Sequence, residues 1–272
     1  MRTLSQKPEH SQIKAPTTGL KILVIDIETQ PNVAHVWGLW NQNVSLAQLR
    51  TPGRVISFAA KWVDKRGVEF RSDWHDGHEA MVKRAHALMD EADLIVHYNG
   101  NSFDMPWLRT EFVQAGLTPP APHKDIDLCN IVKKTFRFPS NKLAYVTGAL
   151  GLSGKLSHTG HQMWVDVMEG SPEVKAKAWG LMRRYNRQDV VTTEELFHRL
   201  KPWIKTLPNP ALYGADGEPE ACGCGNTQLQ HRGYRYTTVS RYKRYQCFGE
   251  NGCGAWLSGG RRDRGVDVRR IG

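Results

Sequence analysis

The 272-residue chain has few cysteines, a deficit of acid and no long apolar run. Of its five cysteines only Cys129 lies before residue 222, so disulfides cannot hold the body of the chain together. No signal peptide and no membrane-length stretch can be read, which predicts a cytoplasmic protein, neither secreted nor membrane-embedded. No internal repeat is apparent. Asp and Glu number 27 against 37 Lys and Arg, for a formal net charge of +10. What is present is 40% hydrophobic residues, enough for one sizeable core and a small appended domain.

Three separated motifs contain four acids. Lys21 to Thr29, KILVIDIET, is an apolar run of strand length that fits a buried central strand. Side chains on a strand alternate faces, so Asp26 and Glu28 point the same way near its end. Two carboxylates aimed together repel, and a divalent cation would compensate them. Taken alone, the pair fits a strand ending at a solvated loop equally well. Asp93 to Tyr98 reads as a second buried strand, followed by the turn-like Asn99 to Ser102 and a helix over Phe103 to Ala115. Asp104 then stands near a helix start at a strand's carboxyl end, where the helix dipole alone could favour it. Tyr185 and Asp189 lie four residues apart in a helical stretch from about Glu173 to Leu200, which puts both on one face.

Together the motifs resemble the DEDD superfamily of 3′–5′ exonucleases, in the subgroup whose third motif carries tyrosine. The proofreading domains of family-B DNA polymerases and related nucleases are the nearest group. Asp26-Ile27-Glu28-Thr29 is similar to the first motif, Tyr98-Asn99 through Phe103-Asp104 with Pro106 to the second, and Tyr185-Asn186-Arg187-Gln188-Asp189 to the third. Asp125 to Leu128 and Asn141 to Leu143 resemble the connecting region. The histidine subgroup would carry His where Arg184 stands. The likeness covers about residues 20 to 205.

The resemblance implies an α/β fold, an RNase H-like mixed sheet flanked by helices. Arg54 to Val63 and Gly67 to Asp73 read as further strands, followed by a helix around Glu79 to Glu91. It also implies a two-metal site for Mg²⁺ or Mn²⁺, the hard cations that suit carboxylates. Asp26, Glu28, Asp104 and Asp189 would be the ligands, and Tyr185 would orient the attacking water. Thr29, Asn99 and Phe103 are the expected substrate contacts, although Phe103 also reads as a core residue that could instead stack on a terminal base. Trp107 reads as packing, Asp127 as structural, and His158 and His161 as solvated loop residues within reach of phosphates.

The tail is a second feature. Cys222-Gly-Cys224 and Cys247-x₅-Cys253 enclose 22 residues and predict a small zinc ribbon holding one structural Zn²⁺. The spacing departs from the usual two residues between paired cysteines, so His231 could replace one cysteine, or four cysteines could form an irregular knuckle. Two disulfides are the rival reading, disfavoured in a reducing compartment. Residues 221–272 hold 10 Lys and Arg against 3 Asp and Glu, which is +7 of the chain's +10. Arg232, Arg235, Arg241, Lys243 and Arg244, interleaved with tyrosines, predict a nucleic-acid grip. Arg261, Arg262, Arg264, Arg269 and Arg270 read as a basic tail.

The expected organisation is a flexible 1–19, an exonuclease domain over 20–205, a linker over 206–219, a zinc ribbon over 220–260 and a tail over 261–272. The expected activity is that of a free-standing 3′–5′ exonuclease on single-stranded DNA, with a polymerase or other replication or repair protein as a partner. An RNA-processing exonuclease of the same fold and a non-catalytic nucleic-acid adaptor are the alternatives.

Overall fold

The structure, a computed structural model, describes residues 19–153, 160–213 and 220–267. His158, Arg269, Arg270, most of the expected N-terminal segment and 214–219 of the expected linker lie outside the described residues. The chain divides into two compact units, Lys21–Leu200 and a second made of Lys201–Gly272 with Met1–Leu20.

In the first unit, β1 (Ile22–Gln30) leads through β2 (Val33–Ala34) and β3 (Leu49–Thr51), a small pair, into β4 (Arg54–Trp62) and β5 (Glu69–Ser72). Helices α1 (Asp73–Asp76) and α2 (His78–Glu91), then β6 (Leu94–His97), α3 (Asp104–Gln114) and β7 (Lys124–Asp127) follow. Helices α4 (Leu128–Thr135), α5 (Leu143–Ala149), α6 (His161–Glu169) and α7 (Pro172–Leu200) complete it. The five-stranded sheet has the order β5-β4-β1-β6-β7. β1 is antiparallel to β4 and parallel to β6, so the sheet is mixed and β1 lies where the strand direction changes.

The apolar run that begins the unit becomes the central strand because both faces of β1 are covered. Leu23, Ile25 and Ile27 point to one face and pack with Met81, Leu88 and Met89 of α2 and Met105, Leu108 and Phe112 of α3. The even-numbered residues point to the other face, where α6 and α7 pack through Met163, Val167, Trp179 and Met182. Asp26 and Glu28 therefore face α7. A bulge in the β1–β4 ladder, between Glu28 and Thr29 opposite Ser57 and Val55, turns the strand end just beyond the second carboxylate.

In the second unit, β8 (Leu229–Tyr236), β9 (Ser240–Cys247) and β10 (Trp256–Gly265) form an antiparallel sheet in the order β10-β9-β8. Arg261, Arg262 and Arg264, expected in a tail, lie in β10 instead: Arg262 pairs with Tyr242 and Arg264 with Arg241. The reason is local, since the polar strand continues the ladder through a register shift rather than leaving it. Asn209 Nδ2 donates to the Ala221 carbonyl at 2.7 Å, tying part of the expected linker to the start of the cysteine region.

Candidate active site and cysteine cluster

Asp26, Glu28 and Asp189 and the Tyr185 phenol influence one another on the α7 face of β1, and Asp104 reaches the same place from the start of α3. Burial raises the Asp26 pKa well above the ordinary carboxylate value, and the charges of Asp104, Asp189 and Glu28 raise it further. Asn186 opposes that rise. Its Nδ2 donates to Asp26 Oδ2 at 2.6 Å and to the Asp26 carbonyl at 3.1 Å. Asn186 is fully buried and in turn accepts from Ser57 Oγ at 3.3 Å, so α7, β1 and β4 are locked together at the first carboxylate.

The turn before α3 is built to deliver Asp104. Asn99 adopts φ 65°, in the left-handed region that Asn tolerates better than most residues. Asp127 accepts from the amides of Asn99 at 3.0 Å and Asn101 at 3.3 Å. The Gly100 amide donates to Nδ1 of buried His97 at 3.1 Å, and a Cβ at this position would lie 2.5 Å from the imidazole, so a side chain cannot fit. Ladder pairing between β1 and β6 ends at Val24 and Val96, and beyond it the Ile27 amide donates to Asp104 Oδ1 at 3.1 Å. Burial is the largest influence on Asp104 and raises its pKa to about 6, against the opposing pull of His97. From α7, Tyr185 and Asp189 are both buried and one turn apart. Burial, then the charges of Asp189, Glu28 and Asp26, hold the Tyr185 phenol above its usual pKa and therefore protonated.

The family model described as RNase_H superfamily matches residues 47–201, more than half of the chain. The chain belongs to the RNase_H superfamily. The matched span contains Asp104, Tyr185 and Asp189, while Asp26 and Glu28 precede it and are brought beside them by the central position of β1. Among solved structures, the family B DNA polymerase from the hyperthermophilic archaeon Pyrobaculum calidifontis is similar with a TM-score of 0.50 at 20% identity, over 68% of this chain and 25% of that one. The chain thus spans about a quarter of the polymerase's length, and the likeness is one of fold. No curated protein matches.

In this RNase_H superfamily chain, Glu28, Thr29, Pro31, Phe103, His161 and Trp164 line a cleft of about 300 Å³. Trp164 Nε1 donates to the Thr29 carbonyl at 3.0 Å, fixing the cleft's far wall to the strand end. Phe103, expected as a substrate contact and also read as a core residue, is 40% exposed and lines this cleft rather than the core. His161, expected in a loop, is the first residue of α6 and also lines the cleft. Asn99 is exposed, and its backbone conformation accounts for its position in the turn. Trp107 packs partly buried against the core and Asp127 braces the turn before α3, as the residue patterns suggested, and Cys129 is buried. Asn186, Ser57 and Trp164 were not identified from sequence. Asn186 sits inside the third motif beside Tyr185, and that adjacency was the available signal.

The four sulfurs of Cys222, Cys224, Cys247 and Cys253 all lie within 4.8 Å of one another. Cys222 and Cys253 are 3.6 Å apart, and Cys224 and Cys247 3.7 Å. A disulfide needs about 2.05 Å, whereas thiolates about 2.3 Å from a tetrahedral zinc are about 3.8 Å from each other. Spacing and donor chemistry both fit zinc, and all four cysteines are free thiols. His231 is not among the donors; its ring packs on Tyr234 and Tyr245. Gly225, with φ 93°, permits the tight turn in which its amide donates to the Cys222 carbonyl at 2.7 Å, and this turn lets a one-residue spacing present two sulfurs to one point.

The cations expected to grip nucleic acid separate by face. Arg235, Tyr242 and Arg262 form one cross-strand row, and Arg244 lies on the same face with its guanidinium 4.8 Å from the Trp256 ring. On the other face Arg241 is held by Asp263 and stacks on Tyr234 at 4.2 Å, with Lys243 opposite Tyr234. Arg232 is exposed, its Nε donating to Gln230.

Proposed function

We propose that the chain is a metal-dependent 3′–5′ exonuclease that hydrolyses single-stranded DNA, with the cysteine-bound unit adding affinity for the strand. The observation that carries this reading is the convergence of four carboxylates at the end of β1, where burial and the charges of Asp104, Asp189 and Glu28 raise the Asp26 carboxyl and the Ile27 amide holds Asp104. Such a donor set is unfavourable by itself and favourable around hard divalent cations. On this reading Asp26, Glu28, Asp104 and Asp189 would hold two Mg²⁺ or Mn²⁺ ions, whose hard character matches carboxylate donors.

When bound, the cations supply charge neutralisation at the scissile phosphate and activate the attacking water. The chain's own residues do the rest. Asn186 fixes the Asp26 carboxylate through a 2.6 Å hydrogen bond, and the Ile27 amide fixes that of Asp104. Tyr185, kept protonated, acts as a hydrogen-bond donor that positions the water rather than as a base. The half-exposed Phe103 ring, beside Glu28 and Thr29, offers a face for the terminal base. On the cysteine-held sheet, the face bearing Arg235, Tyr242, Arg244 and Arg262 combines phosphate neutralisation with aromatic surface.

The test is degradation of 5′-labelled single-stranded DNA with Mg²⁺ or Mn²⁺, beside matched RNA and an Asp104→Ala control. A ladder shortening from the 3′ end of DNA, absent in the control, is expected. A ladder on RNA alone would transfer the activity to RNA processing. Metal-independent binding with no cleavage of either would reduce the protein to an adaptor.

A further inference from the structure

Between Glu28 and Arg50 the chain runs through 21 residues without an Asp, Glu, Lys or Arg. Among the described residues of the first unit, this stretch exposes large apolar side chains as no other part does: Trp37 is 97% exposed, Leu39 87% and Trp40 83%. Exposed apolar side chains that occur singly need no explanation, whereas two tryptophans at one tip do. The tip is held rather than loose. The β2–β3 pair closes its neck, Gln48 Nε2 donates to the His35 carbonyl at 3.0 Å, and Asn32 Oδ1 accepts from the Gly53 amide at 2.6 Å. At the tip, Asn41 turns left-handed at φ 52° and Gln42 Nε2 donates to the Trp40 carbonyl at 2.8 Å.

We infer that Trp37 and Trp40 form a stacking platform for the bases of the single strand that enters the cleft. The inference rests on the exonuclease reading. Continuity with the cleft identifies the occupant. The loop springs from the end of β1 that carries Glu28, and Pro31, near its start, lines the cleft with Thr29 and Phe103. The side-chain chemistry agrees: aromatic rings accept any base, the neighbouring Asn41, Gln42 and Asn43 amides can bond base edges, and the lack of acid leaves phosphates unrepelled. The lack of Lys and Arg sets the loop apart from the cysteine-held sheet. It contributes stacking without neutralising phosphate, so its share of affinity is independent of salt.

The test compares the full chain with Trp37→Ala/Trp40→Ala, using 5′-labelled single-stranded DNA in Ca²⁺, and repeats both on an oligonucleotide of equal length whose bases are replaced by abasic sites. On normal DNA the variant should bind on the order of tenfold weaker for each stack lost, with an unchanged salt slope. On abasic DNA the two proteins should bind alike, and Trp37→Phe/Trp40→Phe should restore most of the difference. Equal affinity of variant and parent on normal DNA would overturn the inference, and so would an equal loss on abasic DNA. A parent that is oligomeric beside a monomeric variant in light scattering would assign the loop to self-association instead. If the parent neither cleaves nor binds DNA, the exonuclease reading has failed. If the parent cleaves DNA and the variant binds it equally well, the platform alone has failed.

Discussion

In Lys21–Leu200 a continuous apolar interior surrounds the strand that carries the carboxylates, with Leu23, Ile25, Phe58, Met81, Leu88 and Ile95 all fully buried. In residues 220–267 the buried side chains among those described are Ala221, Cys222 and Cys247, and neither β8 nor β10 contains a buried residue. The first unit has enough apolar surface to fold around a site that repels itself, and a cation there would serve chemistry. The second has no comparable interior, so a cation there would be the source of its fold. The same element of design, several anionic donors around one point, thus carries opposite weight in the two units.

The largest expected break in this comparison is Cys247→Ser. Zinc binding contributes about 10–16 kcal/mol in small cysteine-held domains, so losing one thiolate should unfold residues 220–267 while the first unit keeps its structure. Amide exchange resolved by segment, with zinc content per chain, checks this; protected amides in β8–β10 of a zinc-free variant would contradict it.

Asp104→Asn should lower hydrolysis by a factor on the order of 10³ or more and leave the fold intact, since the amide oxygen can still accept from Ile27. Its effect on stability sharpens the contrast. Asp26 and Asp104 have folded pKa values raised above their unfolded ones, Asp104 from 3.8 to about 6. A raised carboxylate contributes its stability fully below the unfolded pKa and loses it as pH rises through the folded value. Divalent cations should therefore raise the Tm of the first unit above neutral pH and change it little near pH 4. In Asp104→Asn the cation-free unit should be at least as stable as the parent above neutral pH. Calorimetry with and without Mg²⁺ at the two pH values tests both statements.

Asn186→Ala should weaken cation binding about tenfold to a hundredfold, the usual effect of removing a group that orients a ligand. It should also destabilise the first unit by about 1–3 kcal/mol, because Ser57 and Asp26 lose a buried partner. Mn²⁺ titration and denaturant unfolding measure the two effects. The smallest effect belongs to Arg235→Ala/Arg262→Ala. On a single strand each phosphate contact contributes about 0.7 to the slope of log affinity against log salt, so the double variant should flatten that slope by about 1.4. An unchanged slope would remove that face of the cysteine-held sheet from the strand's path.

Much of this was legible from residue order. The apolar run before Asp26, the helix periodicity around Tyr185 and Asp189, and the turn before Asp104 announce their elements because local pattern and burial agree there. The four cysteines announced a shared site, but not that His231 would turn to Tyr234 and Tyr245, since ring packing depends on the β8–β9 register. The core reading of Phe103 and the loop reading of His161 failed for a similar reason, while the reading of Phe103 as a substrate contact stays open. An aromatic beside a helix start reads as core until a neighbouring element is seen to leave it in a cleft.

By itself the sequence determined the α/β order, the acids and their strand or helix settings, and the cysteine set, because each is written in local periodicity and residue chemistry. Only the tertiary structure decided that Asn186 binds Asp26 across 160 positions, that Asp104 closes the open edge of β1, and that Trp37 and Trp40 remain in solvent. Those outcomes depend on which surfaces distant segments cover or leave bare, a property of packing that local sequence does not encode.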